Sequence, residues 1–155
     1  MPCLPSETEG EPRNPVMVRT RVLVADDLSS VLSAVAALLP ESFDLVGMVS
    51  DGRSALETTL DLKPDVVVLD VSMPEMNGIE VARELTKQHS KAKIVFLTVH
   101  EDSDILATCL AAGGLGYVVK LLMDSDLIPA MNEALAGRVF VSRLSYRQDT
   151  RQDTP

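Results

Sequence analysis

Tryptophan is missing from this 155-residue chain, and aromatic residues make up only 3% of it. A core built from it must therefore be aliphatic. Cysteine is almost absent too: Cys3 lies in a polar N-terminal stretch and Cys109 in a helical pattern, so no disulfide framework is available. No apolar run approaches the ~20 residues that a membrane-spanning helix needs. The first fifteen residues, MPCLPSETEGEPRNP, lack the basic-then-apolar order of a signal peptide. Positive charge is scarce as well. Fourteen Lys and Arg stand against 23 Asp and Glu, a formal net charge of −9, which argues against a nucleic-acid-binding surface. The expected setting is the cytoplasm.

The hydrophobic content of 46% and the length together suit one domain with a sizeable core. Its apolar residues fall into two alternating kinds of segment. Arg21–Ala25, Asp44–Val49, Val66–Leu69, Lys93–Val99 and Gly116–Val119 are short and rich in β-branched residues. Such near-continuous aliphatic runs predict strands covered on both faces, as in a parallel sheet. Helical spacing appears between them. One stripe is Val31, Leu32, Val35, Leu38 and Leu39, closed by Pro40; a weaker one is Ala55, Leu56, Thr59 and Leu60. Ile79, Ala82 and Leu85 form a third, and Ile105, Leu106, Cys109 and Leu110 a fourth. The fifth is Leu127, Ala130, Met131, Ala134 and Leu135, with Gly137 as its stop signal and Pro129 expected near its start. Five strands, each followed by a helix, predict a (βα)5 architecture: a doubly wound α/β fold with a five-stranded parallel sheet.

On that scaffold the polar outliers converge. Asp26 and Asp27 follow the first strand, Asp70 ends the third, Thr98 ends the fourth and Lys120 follows the fifth. Parallel strands point one way, so all five groups reach the edge where open α/β sheets bind ligands. Three neighbouring carboxylates repel unless a positive charge is bound, and hard oxygen donors suit Mg2+. A cation, an ammonium and a hydroxyl are also what an incoming phosphoryl group requires, which leaves Asp70 as the nucleophile. Each residue alone has a plainer explanation: an Asp-Asp pair caps helices and a Thr favours strands. Their joint placement at the strand ends favours the functional reading.

The chain from about residue 19 to 140 resembles the receiver domain of bacterial two-component response regulators. VLVADD matches the acidic-pair motif, PDVVVLDVSMPEMNG the phosphoacceptor motif, IVFLTVH the switch-threonine strand and AGGLGYVVK the lysine strand. The wording is closest to receivers that precede LuxR-type DNA-binding domains. The resemblance implies a flavodoxin-like fold with strand order 2-1-3-4-5. It implies Asp70 as phosphoacceptor, and Asp26, Asp27, Asp70 and the backbone carbonyl of Ser72 as the Mg2+ ligands. Thr98 and Lys120 would bind the phosphoryl group, and Tyr117 would be the aromatic that turns inward with Thr98. Pro74 and Gly78 would shape the loop after the acceptor, with Asn77-Gly78 suited to positive φ. The implied donor is a sensor histidine kinase or a phosphotransfer protein, and a homodimer is a candidate assembly. The chain would be a phosphorylation-dependent signalling switch, not an enzyme acting on a separate substrate.

Some positions depart from that pattern. Leu121 stands where many receivers have proline after the lysine, and Val99 is bulkier than the usual neighbour of the threonine. Ser72 and His100 would flank the approach of hydrolytic water, and Gly113-Gly114 would loosen the loop before the fifth strand. His89 and His100 are too far apart to suggest a metal pair and read as solvated. Residues 1–18 and 141–155 are expected to be flexible tails, the latter carrying the repeat RQDT-RQDT. No helix-turn-helix follows, so DNA binding by this chain is not expected. Two rivals remain. A haloacid dehalogenase-type phosphatase would carry an acid where Ser72 stands, and its nucleophile would follow the first core strand, whereas Asp70 ends the third. A receiver-like interaction module that no longer depends on phosphate would have lost one of the key residues, and all are present.

Overall fold

The β3 run Val66–Asp70 is inaccessible along its whole length, which is possible only for a strand with neighbours on both sides and cover on both faces. In the computed structural model, which describes residues 18–143, six strands form one parallel sheet in the order β2-β1-β3-β4-β5-β6. The strands are β1 (Thr20–Ala25), β2 (Phe43–Val49), β3, β4 (Lys93–Thr98), β5 (Gly116–Val119) and β6 (Phe140–Val141). The first five are the predicted strands, each within one residue of its expected limits.

Alternation along the strands divides the core in two. Leu23, Ala25, Val67, Leu69, Phe96 and Tyr117 face one side; Val22, Val24, Val66, Val68, Val95, Leu97 and Val118 face the other. The first set packs on α2 (Gly52–Leu62), α3 (Gly78–Lys87) and α4 (Ser103–Ala111) through Ala55, Val81, Ala82, Leu85 and Cys109. The second packs on α1 (Ser29–Leu38) and α5 (Met123–Leu135) through Val35, Leu127, Ala130, Met131 and Ala134. Each fully buried Val or Leu contributes roughly 1.5–3 kcal/mol relative to exposure, so a mainly aliphatic layer, with Phe96 and Tyr117 as its largest buried side chains, holds the sheet.

Helix starts follow local chemistry. Asn77 caps α3 in a reciprocal box with Glu80, both hydrogen bonds being 2.9 Å. Asp51 caps α2 by accepting from Ser54 N at 2.8 Å. Helix α1 has no side-chain cap, so the Asp26-Asp27 pair is not there to cap it.

Four expectations need revision. The sheet has a sixth strand: Phe140 N and Ser142 N donate to the Leu115 and Tyr117 carbonyls, both at 2.8 Å, and Ser142 is buried. The fold therefore runs through Ser142, past the expected limit at 140; residues 1–17 and 144–155 of the expected tails lie outside the described residues. Pro129 sits inside α5, not near its start, because a 3-10 turn at Lys120–Leu122 leads straight into a helix beginning at Met123. The positive φ in the loop after Asp70 belongs to Glu75 (φ 73°), while Asn77 has φ −77° as a helix cap. Gly78 is required for another reason: a Cβ there would lie 2.1 Å from the Asp70 carbonyl oxygen. The fourth is His100, expected to be solvated but half-buried, with its ring 3.4 Å from Ser72 Oγ.

Candidate functional site

Because β1, β3, β4 and β5 run parallel and in register, their carboxyl ends lie side by side. Ala25 pairs with Leu69, Asp70 with Leu97 and Thr98 with Val119, so the residues just beyond or at these positions share one rim. Asp26, Asp27, Asp70, Thr98 and Lys120 all stand there, as their positions in the sequence predict.

The three acids each offer a carboxylate oxygen within 4.8 Å of the others. They are not equivalent. Asp26 and Asp70 are buried and Asp27 is exposed. Lys120 Nζ lies 2.8 Å from Asp26 Oδ2 and 3.5 Å from Asp70 Oδ2, so one ammonium bridges the two buried acids. Its approach to Asp26 lacks hydrogen-bond alignment, and among the described residues that oxygen receives no hydrogen bond. Asp26 Oδ1, by contrast, accepts from Leu28 N at 2.9 Å. A buried carboxylate oxygen held only by an ion pair, beside two further carboxylates, is the ligand set of a hard divalent cation, and the residues present fit one.

Asp70 shows the electrostatic cost of this crowding. Burial, followed by the charge of Asp26, pushes its carboxyl up to about 6 from the usual 3.8; Lys120 and the Ser72 N–H pull the other way without cancelling them. Ser72 N donates to Asp70 Oδ1 at 3.3 Å, in the turn that opens directly after the strand.

Thr98 and Tyr117 meet through a residue that the sequence did not single out for this role. His100 N donates to Thr98 Oγ1 at 3.0 Å, and Tyr117 Oη donates to the His100 carbonyl at 2.9 Å. Thr98 and Tyr117 are both fully buried, the tyrosine ring lying inside the fold. These contacts use the backbone of His100, so no side-chain pattern could have announced them. A further pair was also missed: Ser142 Oγ accepts from Val119 N at 3.2 Å and donates to Asp126 Oδ2 at 2.7 Å. The expected neighbours Val99 and Leu121 are exposed, at 67% and 87%, and flank the rim.

Comparison with known proteins agrees with this geometry. Residues 22–132 match the response regulator receiver domain, and the chain belongs to that family. It is similar to the response regulator GacA of Pseudomonas viridiflava, with 34% identity over 124 residues, 79% of this chain and 58% of that protein. The transcriptional regulatory protein PdtaR of Mycobacterium tuberculosis is 37% identical over 145 residues, 87% of this chain and 69% of that protein. A LuxR-family two-component response regulator from Aurantimonas sp. SI85-9A1 has the same fold, with a TM-score of 0.78 and 26% identity over 88% of this chain and 99% of that one. The LuxR-type likeness expected from the motifs is thereby met. The chain spans little more than half the length of GacA. Receivers of this family are phosphorylation-dependent signalling switches, and this chain carries one. No helix among the described residues is long and apolar enough to cross a membrane.

Proposed function

We propose that Asp70 accepts a phosphoryl group from a histidine kinase or phosphotransfer protein, in a cytoplasmic two-component system. A carboxylate oxygen of Asp70 attacks phosphorus and the P–N bond of the donor phosphohistidine breaks; the donor ring, already protonated on its other nitrogen, takes the bonding pair and leaves as neutral imidazole, and an aspartyl phosphate results. The observation that carries this reading is the position of Asp70: buried at a strand end, 3.5 Å from Lys120 and clustered with Asp26 and Asp27. Asp26, Asp27, Asp70 and the Ser72 carbonyl are the assigned Mg2+ ligands, and the bound ion supplies positive charge against the phosphoryl oxygens. Lys120 moves its charge onto the new group as Asp70 ceases to be a carboxylate. Thr98 Oγ1 accepts from His100 N and can still give its proton to a phosphoryl oxygen.

Tyr117 and His100 then carry the change to the surface of α4, β5 and α5. Output from the receiver passes through protein contacts there, a homodimer among them. The chain turns over only its own phosphate and so is not an enzyme for a separate substrate. No observation favours a phosphate-independent module, since every phosphate-handling residue is present and assembled.

Intact-protein mass after incubation with acetyl phosphate and Mg2+ tests the assignment. One phosphate is expected on the wild type and none on Asp70→Asn. Equal labelling of the two proteins would remove Asp70 from the role.

A further inference from the structure

We infer that Phe140–Ser142 forms a clasp energetically coupled to phosphorylation of Asp70, with Ser142 as its positioning residue; the inference rests on the phosphoacceptor reading above.

Strand β6 is two residues long, yet the residue just past it is among the most deeply buried polar residues, Ser142 being 1% exposed. Both the N–H and the hydroxyl of Ser142 are bonded to β5. Its N–H donates to the Tyr117 carbonyl at 2.8 Å, and its hydroxyl accepts from Val119 N at 3.2 Å. The hydroxyl proton goes to Asp126 Oδ2 at 2.7 Å, and Asp126 lies in the first turn of α5, where Ser125 Oγ holds its other oxygen at 3.0 Å. One serine thus ties together the end of β5, the new strand and the start of α5.

The place of these bonds gives them their meaning. Tyr117 and Val119 bracket the last stretch of backbone before Lys120, whose ammonium reaches Asp26 and Asp70. On the β4 side the ladder ends where Thr98 pairs with Val119. On the other side, the final amide of β5 is held by the Ser142 side chain. The direction of the lysine is therefore set partly by a segment that follows α5.

The clasp is closed in the same arrangement that a phosphoryl group on Asp70 would engage. Tyr117 is inside, bonded to the His100 carbonyl, and Lys120 is within reach. Thr98 Oγ1 accepts from His100 N and donates to no described residue. Two interactions that favour one arrangement strengthen each other by the same factor, whichever is made first.

Amide hydrogen exchange of the full chain, followed by NMR with and without beryllofluoride plus Mg2+, tests this directly. The Val119 and Ser142 amides should exchange at least about fivefold more slowly with the phosphate mimic, the low end of measured couplings between sites. Ser142→Ala should weaken beryllofluoride binding by a similar factor, and Ser142→Thr, which keeps the hydroxyl, should restore it. Normal beryllofluoride shifts around Asp70 with unchanged exchange at Val119 and Ser142 would overturn the clasp alone. So would an Ala variant that binds the mimic as the wild type does. Absence of any beryllofluoride effect on the wild type would overturn the phosphoacceptor reading, and the coupling with it.

Discussion

Replacing Asp70 by Asn removes one of three crowded carboxylates while keeping side-chain volume and the Oδ1 acceptor for Ser72 N. Lys120 keeps Asp26 as its partner at 2.8 Å. The wild-type carboxyl holds its proton up to about pH 6, against 3.8 in the ordinary case, so between those values the folded protein binds more proton than the unfolded chain. Stability therefore falls as pH rises through that window and the full cost is present above it. The difference corresponds to about 3 kcal/mol at pH 7.5 and about 1 kcal/mol at pH 4.5. Asp70→Asn should be more stable than the wild type by those amounts in metal-free buffer. Urea denaturation in EDTA at the two pH values measures both, and titrating groups away from the rim cancel between the proteins. Mg2+ at a hundred times its Kd should add about 2.7 kcal/mol to the wild type and close most of the gap. A wild type as stable as the variant at pH 7.5, or a difference that ignores pH, would refute the reasoning.

Replacing Asp26 and Asp27 together by Asn should weaken Mg2+ binding at least about tenfold in calorimetry, since one carboxylate offers too few hard oxygens; normal affinity would move the metal elsewhere. Thr98→Ala should still take one phosphate at Asp70 by intact mass, yet leave the NMR shifts of α4, β5 and α5 largely unmoved by beryllofluoride. Wild-type shifts in that variant would end the switch role of the hydroxyl. The chain should not retard DNA at physiological salt, with or without phosphodonor, because its basic residues are outnumbered 14 to 23 and phosphorylation adds negative charge. Sequence-specific retardation would contradict this reading of its output.

The rim could be read before the fold was seen because parallel strands give a residue's position a spatial meaning. Once Val66–Asp70 is a central strand, its last residue must stand at the carboxyl edge, and the same holds for Thr98. Burial was not legible: Asp26 and Asp27 are adjacent in sequence, but one faces Lys120 from inside and the other faces solvent. β6 escaped because two apolar residues, Phe140 and Val141, carry no period, and its anchor is a serine that resembles a tail residue. His100 escaped because its bonds to Thr98 and Tyr117 are made by backbone atoms that every residue possesses. The positive φ went to Glu75 and not to Asn77-Gly78, since Asn77 is committed to its capping box.

The two outer strands also bear on how the molecule behaves at high concentration. An open sheet normally ends in a row of unpaired amides and carbonyls that can recruit a strand from another molecule and begin a fibre. Here one border has shrunk to two residues, Phe140 and Val141. The other is interrupted: the pairing jumps from Val22–Leu45 to Leu23–Gly47, leaving Val46 as a bulge, and Asp44 stands exposed beside it. A short border and a kinked, charged one are poor templates for strand addition. Concentrated protein should therefore resist growth of stacked-sheet aggregates.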